Sequence, residues 1–475
     1  MPSSRRVNEH LERFVYRVAG LPIAVSALLA LENSPIDTAF ADRYWHPEGI
    51  DEWMSLAEGL ALWPIGLLGA ALWYSARNAL TIKRRGGKSV AKQFAEQVRL
   101  YFSAGVLAPW YYLFSLDEDG DADRAKSFLQ RFETKTSLFP LLKQHKGSPL
   151  NDKARFAQHC ASHGIRTVEL IAHLDGKSRD VKLPDRDLFV KRATGRGGRG
   201  AERWNRIAPF TYEGPDGERL SADKLLDRLV RRSRHRPQII QPRLNPHPEL
   251  AGVTAGALPT TRIVTCLNEQ GEPEPVIALF RMSIGSNNTV DNMHAGGIAA
   301  QPDIATGRLS RASDLGMDAH LGWHSVHPDT GEQIEGRVLP YWEGAKQLAV
   351  KAHRAFSDRV VVGWDIAIRE DGPILIEGNG NPDMDIIQRF MRVGLKRHRF
   401  GELVAYHLRE RLRGGDTAFH RSKSASTSAL DETDRRHPHK RQADAGSAGV
   451  GAQLSAQQPR AGHVRRPNPQ DERIS

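Results

Sequence analysis

Cysteine is almost absent from this 475-residue chain, which contains Cys160 and Cys266. Two cysteines cannot form a disulfide framework, and their spacing fits neither a zinc site nor a redox motif. Cys160 falls in a helical stretch and Cys266 in a strand-like run, so we expect two buried thiols in a reducing compartment. The sequence also lacks an internal repeat. Its apolar fraction of 40% is ordinary, and its length predicts two or more globular units.

Charge of one sign is in excess, because the net charge is +11. Such an excess favours acidic partners, which include nucleotides, nucleic acid and anionic lipid. The densest basic run, at residues 231–236, is not accompanied by aromatic alternation or by a recognised nucleic-acid module. We interpret this run as a solvated helix end and expect no nucleic-acid partner.

Long uncharged stretches occur at residues 18–31 and 59–76. The first is short for a membrane span and the second is at the lower limit. Basic residues precede the first stretch and follow the second, whereas the segment between them contains Arg43 as its one Lys or Arg. This pattern is typical of a hairpin anchor with both ends in the cytoplasm. A pair of buried or membrane-surface helices is the alternative, and no convincing signal-peptide cleavage site closes the first stretch.

A β-hairpin is predicted towards the end of the ordered sequence. Two β-rich runs, Val360–Ile368 and Ile374–Glu377, flank a turn that contains Asp371. If Asp371 lies at the centre of the turn, Asp365 and Glu377 are each six residues away and face each other across the strands. The hairpin would therefore bring two carboxylates together.

A third oxygen ligand follows in the same strand. Asn379 is two residues past Glu377 and points to the same face if the strand continues. Together with Asp365, these side chains form an all-oxygen set that suits Mg²⁺ or Mn²⁺. A surface hairpin with solvated acids is the alternative, but apolar neighbours such as Trp364 and Ile366 argue against it.

A strand ending in Trp-Asp, followed by a strand ending in Glu-Gly-Asn, resembles the metal-binding hairpin of ATP-grasp enzymes. The chain is most similar to the sugar-transfer-associated ATP-grasp branch, which is related to alpha-L-glutamate ligases. The resemblance covers roughly residues 85–410 and includes a basic Arg-Gly-Gly-Lys-type turn before helices that end in a Tyr-Tyr pair. It implies an α+β fold in which two α+β subdomains clasp ATP, with Mg²⁺ or Mn²⁺ as the metal.

A glycine-rich segment follows a short strand predicted at Asp187–Arg192. It matches G-x-G-x-x-G, but Trp204 and its neighbours predict a strand or loop where a dinucleotide fold needs a helix, and no Walker lysine follows. A hairpin lid over phosphates fits better, with Lys191 as a point charge. The lid glycines are Gly195, Gly197, Gly198 and Gly200. A mobile basic loop is the alternative.

Lys153 opens a predicted helix that Asn151 can cap and Gly164 can end. The resemblance implies that Lys153 approaches a phosphate, whereas an ordinary surface lysine is the alternative. A strand is predicted next, at Ile165–Leu170.

The run at residues 237–244 resembles the hinge between ATP-grasp subdomains. The resemblance implies that its backbone reads the adenine edge and that Gln241, Arg243 and Leu244 line the pocket. A plain strand ending at Pro242 is the alternative.

Thr260–Leu267 and Val276–Ser283 form a second predicted hairpin, and each strand contains an arginine among apolar residues. Arg262 and Arg281 would be buried and would need an anion. A nucleotide or acyl phosphate would serve, and a structural partner such as a core glutamate is the alternative.

A polar segment before a Gly-Gly pair contains Asn292 and His294. The resemblance implies that this segment lies near the reacting phosphate, although a lone histidine is more often structural.

The activity implied by the resemblance is Mg-ATP-dependent ligation of a small-molecule carboxylate to an amine through an acyl phosphate. Kinase-like transfer to a hydroxyl or sugar, and a non-catalytic nucleotide-binding component of polysaccharide assembly, are the alternatives. We expect a cytoplasmic protein, with membrane association through residues 18–31 and 59–76 as a further expectation. The expected organisation is a hydrophobic region at 1–80, a helical leader at 81–150, an ATP-grasp domain at 151–412 and a disordered tail at 413–475.

Overall fold

The computed structural model describes residues 3–28, 34–143, 148–177, 181–195, 198, 200–285, 289–291, 293, 296–317, 322–411 and 413. The predicted disordered tail lies almost wholly outside the described residues. Residues 1–414 form one unit, in which helices occupy the first part and two antiparallel sheets with further helices make up the rest. This composition is the predicted α+β class.

The described helices and strands have the following bounds. The helices are α1 (Ser3–Leu28), α2 (Pro35–Trp45), α3 (Ile50–Arg84), α4 (Val90–Ala104), α5 (Ala108–Leu113), α6 (Ala122–Lys126), α7 (Arg131–Glu133), α8 (Phe139–Leu141), α9 (Lys153–Ser162), α10 (Ala222–Ser233), α11 (Pro248–Ala251), α12 (Trp342–Ala355) and α13 (Met384–Met391), and residues 399–411 are also helical. The strands are β1 (Ala172–Leu174), β2 (Leu188–Arg192), β3 (Glu202–Ala208), β4 (Thr211–Glu213), β5 (Arg219–Ser221), β6 (Gln238–Pro242), β7 (Thr260–Leu267), β8 (Pro273–Met282), β9 (Ile298–Ala300), β10 (Ala312–Ser313), β11 (Trp323–His324), β12 (Val361–Arg369) and β13 (Gly372–Asn379). A π-helical turn spans Thr134–Leu138, and 3₁₀ turns span Pro149–Asn151 and Leu395–Arg397.

The first sheet has the strand order β1-β6-β2-β3-β4-β5, with every neighbouring pair antiparallel. Helix α10 covers it, because its leucines repeat at helical spacing and pack on the strands. Leu225 and Leu229 lie in one buried cluster with Leu188, Val190 and Trp204. The glycine-rich segment thus joins two neighbouring strands, β2 and β3, as the lid interpretation requires.

The second sheet has the order β11-β10-β9-β8-β7-β12-β13 and is also antiparallel. Both predicted hairpins are present in it, as β7–β8 and β12–β13. Helix α12 packs on one face, where Ala345 and Ala349 meet Trp364 and Ile366. Helices α2, α13 and 399–411 cover part of the other face. The strand order therefore places β7 directly beside β12 of the hairpin with the paired acids, and β8 one strand further away.

The N-terminal helices pack against each other and against the sheet-containing part of the chain. In α1, Val18 and Ile23 are buried, and the Tyr101 hydroxyl donates to the Val18 carbonyl over 2.8 Å. Asp37 of α2 forms a 2.8 Å ion pair with Lys396. A hairpin with both stretches across a bilayer would put Asp37 and Lys396 on opposite sides, so this contact favours the buried-helix alternative for residues 18–28, and the two-span anchor stays a prediction. Among the described residues, α3 is the one helix long and apolar enough to cross a membrane by length and composition.

Two local predictions are corrected near residue 151, where the predicted third domain begins. The cap of α9 is Asp152, whose carboxylate accepts from the backbone N–H groups of residues 154 and 155, and not Asn151. Residues 165–170 form an isolated bridge at Thr167 rather than a strand. Cys160 and Cys266 are free and buried, as predicted, and burial raises the pKa of the Cys160 thiol to about 12.

Candidate functional site

The β12–β13 hairpin brings Asp365 and Glu377 directly opposite each other, as the sequence predicts. The strands close at Arg369 and Gly372, so the turn consists of two residues. A β-bulge then inserts Ile376, because Ile366 pairs with Leu375 while Asp365 pairs with Glu377. The bulge is what moves Glu377 into register with Asp365.

Asp365 is held by two arginines from the neighbouring strands. Arg262, which pairs with it across β7–β12, donates from Nε and Nη2 to the two carboxylate oxygens over 2.7 and 2.8 Å. Arg281 of β8 adds a 2.9 Å contact from Nη2 to Oδ2. Burial alone would raise the pKa of Asp365, but the two guanidinium groups outweigh it and hold that pKa well below its usual range. The buried arginines therefore have a protein carboxylate as their anion.

Asp291 completes this network and was not singled out by sequence reasoning. Its Oδ2 lies 3.4 Å from Arg281 Nε, and it accepts a short hydrogen bond from the Thr260 hydroxyl. Burial raises the pKa of Asp291, although the guanidinium of Arg281 opposes the rise. The sequence signal was weak, because Asp291 lies in a polar loop and only the approach of that loop to β7 and β8 pairs it with an arginine.

Two lysines approach Glu377 from the other side. Lys153 Nζ lies 3.8 Å from Glu377 Oε2 and donates to the Gly195 carbonyl over 3.0 Å. Lys191 of β2 is in the same electrostatic neighbourhood: burial lowers its pKa to about 8, Glu377 and Asp365 oppose the fall, and Lys153 adds to it. The two lysines thus bring α9 and the first sheet to the acids of the second sheet.

The charged side chains of this cluster carry a net positive charge. Lys153, Lys191, Arg262 and Arg281 contribute four cations, and three carboxylates oppose them, which leaves one positive charge. The carboxylates are Asp291, Asp365 and Glu377. A polyanion accompanied by a hard cation is the ligand that such a mixed cluster suits.

The described lid glycines adopt backbone conformations that favour glycine. Gly195, Gly198 and Gly200 have φ values of +104°, +65° and +75°. A Cβ at Gly198 would lie 2.7 Å from a methyl group of Val290, so the lid closely approaches the loop that contains Asp291. Gly197 lies outside the described residues, as do Asn292 and His294.

The predicted hinge residues lie at the end of β6. Gln241 is buried and pairs with Phe189 of β2. Arg243 is turned towards the first sheet, where it donates to the Asn205 side chain over 2.7 Å. Leu244 packs beside Ala367 of the hairpin strand. Gln241 thus lies in the first sheet, and Leu244 packs against the hairpin of the second sheet. The guanidinium of Arg243 is engaged by the Asn205 side chain.

The residues present fit a divalent cation. Glu377 is about one third exposed, with 31% of its side chain accessible, and Asn379 would contribute its amide oxygen, because its amide nitrogen is a donor and cannot bind a cation. A carboxylate offers about four acceptor positions, and Asp365 accepts three N–H contacts, so one position remains. Within the described ranges, no group of three or more His, Cys, Asp and Glu side chains is clustered as a metal site, so the amide of Asn379 is needed to complete a three-ligand set.

From the lowered pKa of Lys191 we predict that the affinity for Mg-ATP depends on pH. Its pKa of about 8 means that it loses its charge as the pH rises through that value, so affinity should fall by up to about tenfold per pH unit above it. Lys191→Arg should retain charge throughout and flatten the profile. Calorimetric titration of both proteins with a non-hydrolysable ATP analogue and Mg²⁺ measures this, and parallel profiles would contradict the placement of Lys191 on a phosphate.

A comparison with models of known protein families identifies one family that matches the chain. The model for sugar-transfer associated ATP-grasp matches residues 135–400, which is more than half of the chain. No curated protein matches the sequence.

Solved structures give distant similarities. D-alanyl-alanine synthetase A from Vibrio cholerae O1 biovar eltor has a TM-score of 0.33 at 12% identity, covering 55% of this chain and 65% of its own. An L-amino acid ligase from Bacillus licheniformis has a TM-score of 0.30 at 12% identity, covering 52% and 47%. N5-carboxyaminoimidazole ribonucleotide synthetase in its ADP complex has a TM-score of 0.29 at 10% identity, covering 49% and 45%. The chain therefore spans between about half and two thirds of the length of these proteins.

Proposed function

The chain belongs to the sugar-transfer-associated ATP-grasp family, and from this we propose that it is a Mg-ATP-dependent ligase that joins a carboxylate to an amine. The observation that carries the proposal is the meeting of Lys153 and Lys191 with Glu377 and Asp365 at one site between the two sheets. This cluster has the charge and the oxygen donors that a metal-bound triphosphate needs. The membership confirms the resemblance seen in the sequence, and it supports the use of ATP with a divalent metal.

Each group has a role that follows from its position. Lys153, Lys191 and the backbone of the glycine lid would bind and neutralise the phosphates, and the lid would exclude water. Asp365, Glu377 and Asn379 would hold Mg²⁺, which when bound screens the charge of the triphosphate oxygens. Gln241, Arg243 and Leu244 remain the proposed lining of the adenine pocket.

The reaction would proceed in two transfers. A substrate carboxylate oxygen attacks the γ-phosphorus, the bond to the β-phosphate oxygen breaks, and ADP leaves with an acyl phosphate formed. The amine nitrogen then attacks the carbonyl carbon, phosphate leaves and the nitrogen loses a proton. Positioning and charge neutralisation provide most of the catalysis in such transfers. Arg262, which contacts Asp365, and Arg281, which contacts Asp365 and Asp291, would face the transferred phosphoryl group, and Asn292 and His294 remain predictions for the same region.

The acceptor can be identified from the reaction products, without choosing a substrate in advance. Purified protein is incubated with Mg-ATP and a small-molecule cell extract, and new masses are identified by untargeted mass spectrometry. A product equal to a carboxylate plus an amine minus water, formed with ADP and phosphate, supports the ligase. A phosphorylated hydroxyl compound formed with ADP would replace it by kinase-like transfer. ATP binding without turnover would replace it by a non-catalytic role.

The setting of the reaction is also part of the proposal. Because ATP is supplied in the cytoplasm, we propose that the catalytic part lies there. The free, buried cysteines fit a reducing compartment. The description of the family suggests a role associated with sugar transfer. We propose a cell-surface polysaccharide or sugar-transfer pathway as the setting, and the identity of the acceptor found by mass spectrometry tests it.

A further inference from the structure

Helix α3 presents an apolar face that nothing in the described part of the chain covers. Side chains at helical spacing along it are exposed, and Ile65 reaches 70% accessibility. Met54, Ile65, Leu68 and Leu72 lie on one face of the helix at 3.6 residues per turn. The opposite side of this part of the helix is buried, with Leu56, Gly59 and Leu67 packed inwards. An exposed apolar surface of this extent indicates a binding partner.

The packing of α4 beside α3 argues against a membrane span. Gln97 donates to the Ser75 hydroxyl over 2.8 Å, and Gln93 donates to the Ala79 carbonyl over 3.1 Å, so α4 runs alongside the apolar part of α3. Arg99 of α4 is exposed at this level. A bilayer core centred on residues 59–76 would immerse that arginine, which is strongly unfavourable.

The catalytic part is joined to the same helix. Asn78 of α3 donates from Nδ2 to the Met317 carbonyl over 2.9 Å. The buried side of α3 therefore faces α4 and the sheet-containing part of the chain, and the apolar face points away from both. A surface in the plane of the helix can cover this face without displacing any of these contacts.

Charge along α3 indicates which surface covers it. Near its N-terminus, the carboxylates are paired: Asp51 lies 3.6 Å from Arg13, and Glu52 lies 2.7 Å from Arg43. At its C-terminus, Lys83 and Arg84 are exposed. A second copy packed antiparallel would bring these cations to acids that already have partners. An anionic lipid surface attracts them and also accommodates the apolar face.

We infer that α3 docks in the plane of an anionic membrane surface, with its exposed face from Met54 to Leu72 inserted among the lipid headgroups and upper acyl chains. Interfacial helices of this kind enter by about 5–10 Å. The inference concerns a surface of the N-terminal helices and is independent of the ligase proposal.

Flotation of the full chain with vesicles tests the docking. The protein is expected to float with phosphatidylglycerol–phosphatidylcholine vesicles and to float less with phosphatidylcholine alone. Leu68→Glu combined with Leu72→Glu should lower the partition coefficient about tenfold or more, because two apolar side chains leave the lipid phase. The matched control is Ile207→Glu combined with Val338→Glu, two similarly exposed apolar positions in the sheet-containing part, which should float normally.

Two further measurements make the result decisive. Thermal unfolding of the lipid-free double variants should match the wild type, because all four side chains are exposed. A spin label at Leu72→Cys should report a shallow depth, since Cys160 and Cys266 are buried and do not compete for the label. Absence of flotation, equal flotation of both double variants, or a label at the bilayer midplane would overturn the inference. So would a dimer in light scattering that Leu68→Glu with Leu72→Glu dissociates.

Discussion

Glu377→Ala is expected to lower ATP-dependent turnover by about 10²–10³-fold or more while leaving the fold almost unchanged. Glu377 is partly exposed, its contact with Lys153 is 3.8 Å long, and Asp365 remains as a countercharge for the buried Lys191, so removal of Glu377 still leaves an acid near the buried lysine. The same removal takes away one of two carboxylates proposed to hold the metal. ADP formation measured with Mg-ATP, beside a thermal unfolding curve, separates the two effects.

The hairpin contains a matched control for this substitution. Glu370 lies in the two-residue turn of the same hairpin and is exposed, and the turn is separated from the paired acids by the intervening strand residues. Glu370→Ala should retain full turnover. A Glu377→Ala protein as active as Glu370→Ala would remove Glu377 from the metal site and would leave the proposed mechanism without its main support.

Asp365→Ala is expected to cost about 3–5 kcal/mol of folding free energy in addition to any loss of activity. The carboxylate of Asp365 is buried and holds both Arg262 and Arg281, so its removal leaves two guanidinium groups without their shared anion. Urea unfolding should show a lower midpoint. Loss of turnover in this variant alone would therefore say little about chemistry, in contrast to Glu377→Ala.

Asp371 offers the comparison that isolates burial as the cause. It also contacts two arginines, Arg166 at 2.5 Å and Arg369 at 3.5 Å, but its side chain is 55% exposed. Exposed ion pairs contribute about 0–1 kcal/mol, so Asp371→Ala should shift the urea midpoint only slightly. Equal shifts in the two variants would show that the network around Asp365 is not the buried structural element described above.

The pairing of Asp365 with Glu377 could be predicted from the sequence because turn residues and β-rich runs are local signals of a hairpin. Its turn residues and β-rich runs placed Asp365 opposite Glu377, and the structure has that pair. The geometry behind it differs, since the prediction centred the turn on Asp371 alone. The strands in fact close around a two-residue turn, and the bulge at Ile376 restores the predicted partners. The prediction thus contained two errors, a turn centred on one residue and a regular ladder without a bulge. They shift the register in opposite directions and cancel.

Other features could not be predicted because they depend on strand order. Nothing in the sequence predicted that β7 lies between β8 and β12, and this strand order brings Arg281, Arg262 and Asp365 into one network. The anion expected for the arginines was a phosphate, and the structure provides Asp365 as well as Asp291. Likewise, apolar composition could not distinguish α1, which is buried, from α3, which keeps an exposed face.

The extra residue in β13 bears on how such hairpins can be found in other sequences. Asp365 and Glu377 are twelve positions apart here because Ile376 is accommodated as a bulge. A shortened hairpin without that residue would have the acids eleven positions apart and would still pair them, with regular hydrogen bonding throughout. Hairpins with either separation can thus place the two acids opposite each other, and a search pattern with one fixed spacing would miss those with the other.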